Sequence, residues 1–385
     1  MFYGSAGNEL FNVQSHIADM TGMSVGGGHF NVHATNIEVD SVDGGGGSDS
    51  ALMYTSTIND VFVGAPGEGS RGNYAALYTT DGSFYNVAFN TPATAIVDSP
   101  KVGTTHAAVL FTSSADDAFV AAPQSATLSG IGAVGQGPFS FTAQSYPSVI
   151  AYNDPANTGL HTARFSTSTV NDIFVGVNNT YAELFCAVGG AAFNNIAYHF
   201  QIVAATNLAS TPGVTHDAIL YTSTTGSDNF AATGATASLT GTTLGNVYSF
   251  NLQKFTTVSA INQGGSSLGT AVLTGLADDD VFFGASTFAL MTNGNSSDPV
   301  LFRNVAYGFS TNTATALPGS QHSLARLYDS AGNDVFNGSH GQGSLLNNTV
   351  NNFHEVDAAS LNGGTDTVNF ASLDYVFMKV GNWAN

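Results

Sequence analysis

One short pattern, an acidic turn followed by an apolar residue and a phenylalanine, recurs along the whole chain of 385 residues. Its acidic residues are 51 to 57 positions apart. Repeats of this length are typical of solenoids and repeat arrays, in which each copy buries apolar surface against its neighbours. The copies are Asn8-Glu9-Leu10-Phe11, Asn59-Asp60-Val61-Phe62, Asp116-Asp117-Ala118-Phe119, Asn171-Asp172-Ile173-Phe174, Ser227-Asp228-Asn229-Phe230, Asp279-Asp280-Val281-Phe282 and Asn333-Asp334-Val335-Phe336.

Three further segments keep nearly fixed distances from each acidic turn. An Ala-led segment precedes the turn, an Ala-x-Leu/Met-x-Gly segment follows it, and a Phe/Tyr-x-x-Val-x-Ala segment comes later. Each alternates apolar with polar residues and is bounded by turn-forming residues, which is typical of strands. Examples are Ala108-Val109-Leu110-Phe111, Ala126-Thr127-Leu128-Ser129-Gly130 and Tyr146 to Ala151.

These segments predict an all-β fold, a β-solenoid resembling a parallel β-helix or β-roll, with about seven repeats of about 55 residues. One large irregular coil per repeat is a competing geometry. Small β-sandwiches are disfavoured because 55 residues is short for an independent two-sheet core. We expect the anchor phenylalanines to form one buried column. The single array, 1–385, divides into approximate repeats 1–48, 49–105, 106–160, 161–215, 216–268, 269–321 and 322–385.

Charge is sparse and one-sided, with 7 Lys and Arg against 27 Asp and Glu and a formal net charge of −20. So few cations argue against nucleic-acid binding and against attraction to an anionic membrane. Cys186 is the only cysteine, so no intramolecular disulfide is expected. No apolar run is long enough for membrane insertion as a helix. The Gly-, Thr-, Ser- and Asn-rich composition favours an extracellular or cell-surface location, although the first residues lack an ordinary secretion signal.

The sixth regular copy of the turn, Ser330 to Gly338, resembles the glycine-aspartate nonapeptide of RTX-type calcium-binding β-rolls. The segment from Gly4 to Phe11 looks like a degraded version. The whole unit is also similar to repeats in very long secreted or surface proteins of environmental bacteria. The resemblance implies Ca²⁺ held by glycine carbonyls and the turn aspartate. The middle copies lack those glycines. The implied calcium residues are Asn333, Asp334, Asp280, Asp228, Asp172, Asp117 and Asp60.

The acidic turns have a second interpretation, because an aspartate can also cap its turn by accepting hydrogen bonds from nearby backbone N–H groups. A series of histidines likewise has two interpretations. His106, His161 and His216 recur every 55 residues, two positions before an alanine, and His322 lies near the same place. These rings could form a metal column or hydrogen-bond to neighbouring backbone.

Catalysis finds little support in the sequence. A nucleophilic or acid–base site needs a unique cluster of residues. Here Ser, His and Asp recur at equivalent repeat positions, so no catalytic residue is assigned. The charged residues that break the pattern are isolated along the chain; they are Glu68, Arg71, Lys101, Lys254 and Arg303.

The function expected is that of an extracellular structural protein, a subunit of a filament, sheath or surface layer that assembles head-to-tail with itself. Uncapped solenoid ends expose strand edges. The expected contact segments are Tyr375-Val376-Phe377-Met378 with Trp383 at one end and Phe2-Tyr3 at the other. A longer covalent array would use the same edges. The runner-up is a calcium-dependent adhesin with glycans as further partners, and the third reading is a carbohydrate-active enzyme on a β-helix.

Overall fold

The computed structural model describes residues 1–23, 27–36, 38–45, 48–67, 72–97, 104–132, 137–186, 192–208, 213–243, 245–264, 269–276, 279–293 and 302–384. The chain forms two compact units. Unit 1 comprises Met1–Ser168 and Thr180–Val203, and unit 2 comprises Thr169–Asn179 and Ala204–Asn385. The described residues contain 37 strands and no helix, hence none long and apolar enough to cross a membrane. The prediction of an all-β fold is confirmed.

The strands of unit 1, numbered in chain order, form two sheets. Sheet A contains β1, β5, β7–β9, β11, β15, β18 and β19, and sheet B contains β2–β4, β6, β10, β12–β14 and β16. The bounds are β1 Phe2–Tyr3, β2 Glu9–Gln14, β3 Ile17–Met23, β4 His29–Thr35, β5 Val39–Asp43, β6 Ser50–Tyr54, β7 Asp60–Ala65, β8 Tyr74–Thr79, β9 Tyr85–Phe89, β10 Ala93–Ile96, β11 Ala107–Phe111, β12 Asp117–Ala122, β13 Ser125–Ile131, β14 Pro138–Gln144, β15 Ser148–Tyr152, β16 Thr162–Ser166, β18 Tyr181–Cys186 and β19 Phe193–Tyr198.

Unit 2 also has two sheets, and β20 (Ile202–Thr206) lies at the division between the units. Sheet C contains β17, β21, β25, β27–β29, β31, β35 and β37, and sheet D contains β22–β24, β26, β30, β32–β34 and β36. The bounds are β17 Ile173–Val177, β21 Asp217–Tyr221, β22 Asn229–Thr233, β23 Thr236–Thr243, β24 Asn246–Gln253, β25 Thr257–Ile261, β26 Thr270–Thr274, β27 Asp280–Gly284, β28 Phe288–Asn293, β29 Arg303–Tyr307, β30 Thr311–Thr315, β31 Leu324–Tyr328, β32 Val335–Ser339, β33 Gln342–Leu345, β34 Asn348–Asn351, β35 Glu355–Ser360, β36 Thr367–Phe370 and β37 Val376–Gly381.

Each sheet combines parallel ladders with antiparallel three-stranded meanders. In sheet A the parallel ladder runs β7, β11, β15, β19, and in sheet D it runs β22, β26, β30, β34. The meanders open with an anchor strand, as in β12-β13-β14 and β27-β28-β29. The strand direction was not predictable from alternation alone. A two-residue turn at Pro123 and Gln124 folds the Ala-x-Leu-x-Gly strand back on its anchor strand.

The meander explains why the repeat motif has its spacing. In the β12–β13 pair, Asp117 lies opposite Gly130 and Phe119 opposite Leu128. The first repeat pairs Glu9 with Gly22 in the same way. Within each of these hairpins the acidic residue pairs with the motif glycine, and the phenylalanine pairs with the motif leucine or methionine. Such cross-strand pairs are the unit of sheet stabilisation.

The anchor phenylalanines are all fully buried, as predicted; they are Phe62, Phe119, Phe174, Phe230, Phe282 and Phe336. Their placement in one column is wrong. In unit 1, Phe62 lies in sheet A and Phe119 in sheet B. The chain crosses between the sheets an odd number of times from one anchor to the next, so successive anchors enter opposite sheets.

Each meander ends at a residue in the left-handed region of backbone space, which favours glycine and is costly for most other residues. At Ser145, for example, φ is 60°, and the N–H of this residue donates to the carbonyl of Gln124 at 2.8 Å. The bond helps hold the position where the chain leaves one sheet for the other. The equivalent residues are Asn36, Asn90, His199, Lys254, Gly308 and Asn352.

Candidate functional site: the acidic turns and their buried partners

The acidic residues of the anchors, here called the turn carboxylates, are all buried; they are Glu9, Asp60, Asp117, Asp172, Asp228, Asp280 and Asp334. A serine four residues before Asp60 supplies two donors. The backbone N–H of Ser56 donates to Asp60 at 2.7 Å, and its hydroxyl donates at 2.9 Å. The serine oxygen then accepts the N–H of Ile58 at 3.1 Å. The carboxylate therefore caps its own turn.

The same capping recurs at four other anchors. Ser113 donates from its N–H and hydroxyl to Asp117, and Ser330 does so to Asp334. The remaining pairs are Ser5 with Glu9 and Ser223 with Asp228. Charge-assisted bonds to a carboxylate are stronger than neutral ones. The serine before the turn is a structural donor that the acidic-turn pattern did not identify.

A glycine on the paired strand makes room for the carboxylates of Glu9, Asp117 and Asp228, whereas Asp60 lies opposite Thr79 and Asp280 opposite Asn293. A Cβ built on Gly130 would lie 1.7 Å from an oxygen of Asp117, and one on Gly241 would lie 1.7 Å from an oxygen of Asp228. Neither glycine has positive φ. The glycine of the Ala-x-Leu-x-Gly motif is thus needed for space and not for backbone conformation.

The histidine series meets the turn carboxylates of the preceding repeat. The ring atom Nδ1 of His106 lies 3.2 Å from Asp60, and Nδ1 of His161 lies 3.5 Å from Asp117. In unit 2, Nδ1 of His216 accepts the N–H of Asp172 at 3.2 Å. Nδ1 can accept this bond only when it carries no proton, so the imidazole is neutral.

Two repeats have an aspartate where the others have this histidine. Asp49 accepts the N–H of Glu9 at 2.8 Å, and Asp366 accepts the N–H of Asp334 at 2.8 Å. Asp49, Asp366 and His216 share the role of accepting the backbone N–H of a turn residue. Nδ1 of His106 and Nδ1 of His161 make no hydrogen bond within the described residues and lie beside the carboxylates of Asp60 and Asp117.

Burial decides the charge of these groups. It lowers the pKa of His106, His161 and His216, because the charged imidazolium is disfavoured away from water. It also raises the pKa of Asp60 and raises the pKa of Asp117 to about 6, against the opposing hydrogen bonds from serine. Near neutral pH the His161–Asp117 contact therefore joins a neutral imidazole to a carboxylate.

The second ring nitrogen of each of these histidines, Nε2, is buried and makes no hydrogen bond in the part of the chain that the structure describes. The ring of His161 packs edge-on against Phe200, with centroids 6.1 Å apart, and His106 packs edge-on against Tyr146 at 6.4 Å. These rings fill the core, and His216 also accepts a hydrogen bond through Nδ1.

Two repeats replace the histidine by other means. At Asp228 the equivalent position in the next repeat is Gly269, and the hydroxyl of Tyr248 donates to the carboxylate at 2.7 Å. The later repeat has buried Ser323 at this position, whereas His322 is exposed. Tyr248 was missed by sequence reasoning because it lies outside the histidine spacing, and Ser323 was missed because the neighbouring His322 was taken as the equivalent residue.

The described residues contain no group of three or more His, Cys, Asp or Glu side chains arranged to hold a metal ion. Calcium at the acidic turns stays a prediction, because backbone carbonyls are part of the ligand set that the resemblance implies. Lys254 is exposed, and Arg303 lies at the edge of a groove in unit 2. Glu68, Arg71 and Lys101 lie outside the described residues.

Two of the residues expected to mediate assembly pack within unit 2. The ring of Phe377 stacks on Phe336 with centroids 4.7 Å apart and contacts Phe370 at 4.8 Å. The indole N–H of Trp383 lies 3.2 Å from the carbonyl of Ala358, to which it donates. Phe377 therefore covers the anchor phenylalanine of its own repeat, and Trp383 is held against β35.

The other expected assembly residues are more open to solvent. Val376 and Met378 are exposed on β37, and Tyr375 is partly buried. Burial also raises the pKa of Tyr375 to about 12. In unit 1, Phe2 is partly buried and Tyr3 is exposed.

Comparison with known proteins gives no further lead, since no family model and no curated protein matches the chain. The geometry of the turns is therefore the basis for a functional argument. It assigns the recurring Ser and Gly residues to hydrogen bonds and close packing with the turn carboxylate of their own repeat, and the recurring His residues to contacts between successive repeats.

Proposed function

We propose that this chain is an extracellular structural protein, coiled as a β-solenoid, that builds a filament, sheath or surface layer. The supporting observation is that the recurring polar residues are used within the fold. The turn carboxylates cap their own turns and meet partners from the next repeat, as in the contacts of Asp60 with Ser56 and His106. Such residues hold one repeat on the next, and a stack of this kind is extended by adding further repeats.

The head-to-tail contact is proposed at the edge strands. In the described residues β37 pairs with β35 alone, and β1 pairs with β5 alone. A strand with an open edge presents unpaired N–H and C=O groups that recruit another strand. The exposed side chains of Val376 and Met378 flank the open edge of β37. A second copy or a covalently following repeat would cover this edge by the same parallel pairing.

The edge contact can be tested without disturbing the ladder inside unit 2. The N–H of Val376 donates inward to the carbonyl of His354. Because N–H direction alternates along a strand, the N–H of Lys379 points to the open edge. Lys379→Pro therefore removes an outward donor, and Lys379→Ala is the matched control that keeps it.

Electron microscopy of purified protein gives the readout. We expect filaments from the parent and from Lys379→Ala, and few or none from Lys379→Pro or from a chain lacking residues 371–385. Circular dichroism melting would show whether each variant is folded. Unchanged filaments from a folded Lys379→Pro variant would refute strand addition at this edge.

Calcium binding is proposed at the Asn333-Asp334 turn. This copy keeps Gly332 and Gly338, and it joins two buried acidic residues of successive copies through the bond from Asp334 N–H to Asp366. Closely placed carboxylates favour a hard divalent cation with oxygen ligands. The N–H and hydroxyl of Ser330 already donate to the carboxylate of Asp334, so a calcium ion would bind there in addition to these capping hydrogen bonds.

A further inference from the structure

One outward-facing position of the repeat alternates between aromatic and amide side chains. It is the last residue of the third meander strand; it is Thr35 in the first repeat, and in the repeats that follow it is Phe89, Gln144, Tyr198, Gln253, Tyr307 and Asn351. The aromatic members lie in sheets A and C, and the amide members lie in sheets B and D. The sequence alternation thus follows the alternation of sheets.

In sheets A and C this position belongs to a row of rings that crosses the strands. In unit 1, Phe111 pairs with Tyr152, Tyr152 with Tyr198, and Tyr198 with Tyr181. Neighbouring ring centroids are 6.0 to 6.2 Å apart, and the rings are tilted by 48° to 67° instead of stacked. Phe111 and Tyr152 are exposed. The row is a ladder of aromatic groups on an outer face.

The equivalent row in the other sheet of each unit serves as an internal comparison. In sheet D it is wholly polar, running Gln253, Thr236, Thr233, Thr274, Thr315, Asn351. In sheet B it runs Tyr54, Ile96, Gln144, Ser125, with one aromatic residue among them. Both sheets are built from the same repeat and bury the same kind of inner face. The fold therefore does not require aromatic residues in the outer row.

In unit 2 the aromatic row borders a groove of about 800 Å³. The N–H of Ala285 donates to the carbonyl of Phe288 at 2.9 Å. Phe288 pairs with Tyr307 on the next strand. Tyr328 lines the groove from β31, and Asn362 and Arg303 supply polar groups to its lining. A concave apolar surface with a few polar groups is the usual form of a small-ligand or glycan site.

The charge of the chain narrows the class of ligand. A net charge of −20 repels polyanions. Arg326 on β31 forms an ion pair with Asp357 at 2.7 Å. Arg303 lies in the lining of the groove. A guanidinium presents several N–H donors that suit hydroxyl or amide oxygens. Phe288 and Tyr307 lie on paired strands, and the rings on neighbouring strands of the unit 1 row are 6.0 to 6.2 Å apart, a spacing that suits a ligand that is itself a chain of rings.

We infer that the aromatic groove of unit 2 binds an uncharged polysaccharide, with pyranose rings lying against Phe288, Tyr307 and Tyr328 and a hydroxyl or acetamido oxygen accepting from Arg303. Aromatic side chains offer large contact area with little entropy to lose. The site is a lateral surface and does not depend on the proposed end-to-end contact.

The test is sedimentation of the full chain with insoluble cellulose and with chitin, in parallel with soluble polygalacturonate as a charged probe. Tyr307→Ala combined with Tyr328→Ala removes two rings from the row. Thr274→Ala combined with Thr315→Ala is the matched control on sheet D. We expect the first pair to weaken binding to cellulose or chitin about tenfold, equivalent to 1.4 kcal/mol, and the second to leave it nearly unchanged.

Several results would overturn the inference. They are absence of binding to both uncharged polymers, equal loss in both double variants, or preference for polygalacturonate. Self-association of the parent that the tyrosine variant loses, measured by analytical ultracentrifugation without polysaccharide, would assign the groove to a second copy instead. Filament formation by the tyrosine variant should match the parent, so failure here is distinguishable from failure of the end-to-end proposal.

Discussion

Replacing Gly130 by alanine tests whether the motif glycine exists to admit a carboxylate. The added Cβ would lie 1.7 Å from an oxygen of Asp117 and 2.7 Å from its Cγ. Asp117 must then move away from the N–H and hydroxyl of Ser113, which it now accepts at 2.6 and 3.0 Å. Hydrogen bonds to a charged group contribute about 1.5–3 kcal/mol each. Loss of one bond with some overpacking predicts a cost of about 3 kcal/mol.

Urea unfolding at pH 7.5 measures this cost. Gly137→Ala is the matched control, since a Cβ there meets no atom within 4 Å, and it should change stability by less than about 1 kcal/mol. A double-mutant cycle with Asp117→Ala sharpens the test, because the alanine at position 130 should cost almost nothing once the carboxylate is gone. An equal cost of Gly130→Ala in both backgrounds would falsify the steric argument.

Three further predictions concern the core, the histidines and calcium. Phe174→Ala should cost about 3–5 kcal/mol in urea unfolding, whereas exposed Ile173→Ala should cost less than about 1 kcal/mol; similar losses would contradict the buried anchor. Because burial lowers the pKa of His161, the unfolded chain binds more protons below pH 6.5, so stability should fall on acidification. The raised pKa of Asp117 acts oppositely as pH falls through about 6. The stability difference between the parent and His161→Asn should therefore shrink from pH 7.5 to pH 5.5, and a constant difference would exclude this linkage. If Asp334 binds calcium, the melting temperature should be higher in millimolar calcium than in EDTA, and Asp334→Asn should remove this increase. Identical melting curves in calcium and EDTA would mean that Asp334 serves only to cap its turn.

The buried phenylalanines could be predicted from sequence because each follows an acidic turn at a fixed offset within an alternating segment. Phe119 and Phe230, for example, are both fully buried. Alternation reports which residues face inward, and it does so for parallel and antiparallel strands alike. The direction of β13, which depends on the turn at Pro123, could not be read from that signal.

The candidate site was predicted only in part, for a similar reason. The acidic residues and the histidine series are visible as spacings, but their contact joins residues 44 to 46 positions apart in different repeats, as in Asp117 with His161. Tyr248 was not predictable as a partner of Asp228, because it becomes one where Gly269 replaces the histidine. Such compensation depends on which strands are neighbours, and that information is absent from single-repeat patterns.

Alternation of sheets explains an irregularity that a one-column solenoid leaves without cause. If every repeat lay in one column, equivalent positions would share one environment. The change of side chain from Tyr198 to Gln253 to Tyr307 at one repeat position would then have no structural explanation. With successive anchors in opposite sheets, the structural period spans two repeats. Inner positions such as the anchor phenylalanines then stay alike, because both sheets of a unit face an apolar interior. The residue opposite the turn carboxylate changes with the sheet, from glycine in β3, β13 and β23 to Thr79 in β8 and Asn293 in β28. Outer positions are free to differ, because the two sheets of a unit face different surroundings. An outer position that follows the two-repeat period is therefore evidence about what each face contacts, and a position that follows the one-repeat period is evidence about the fold.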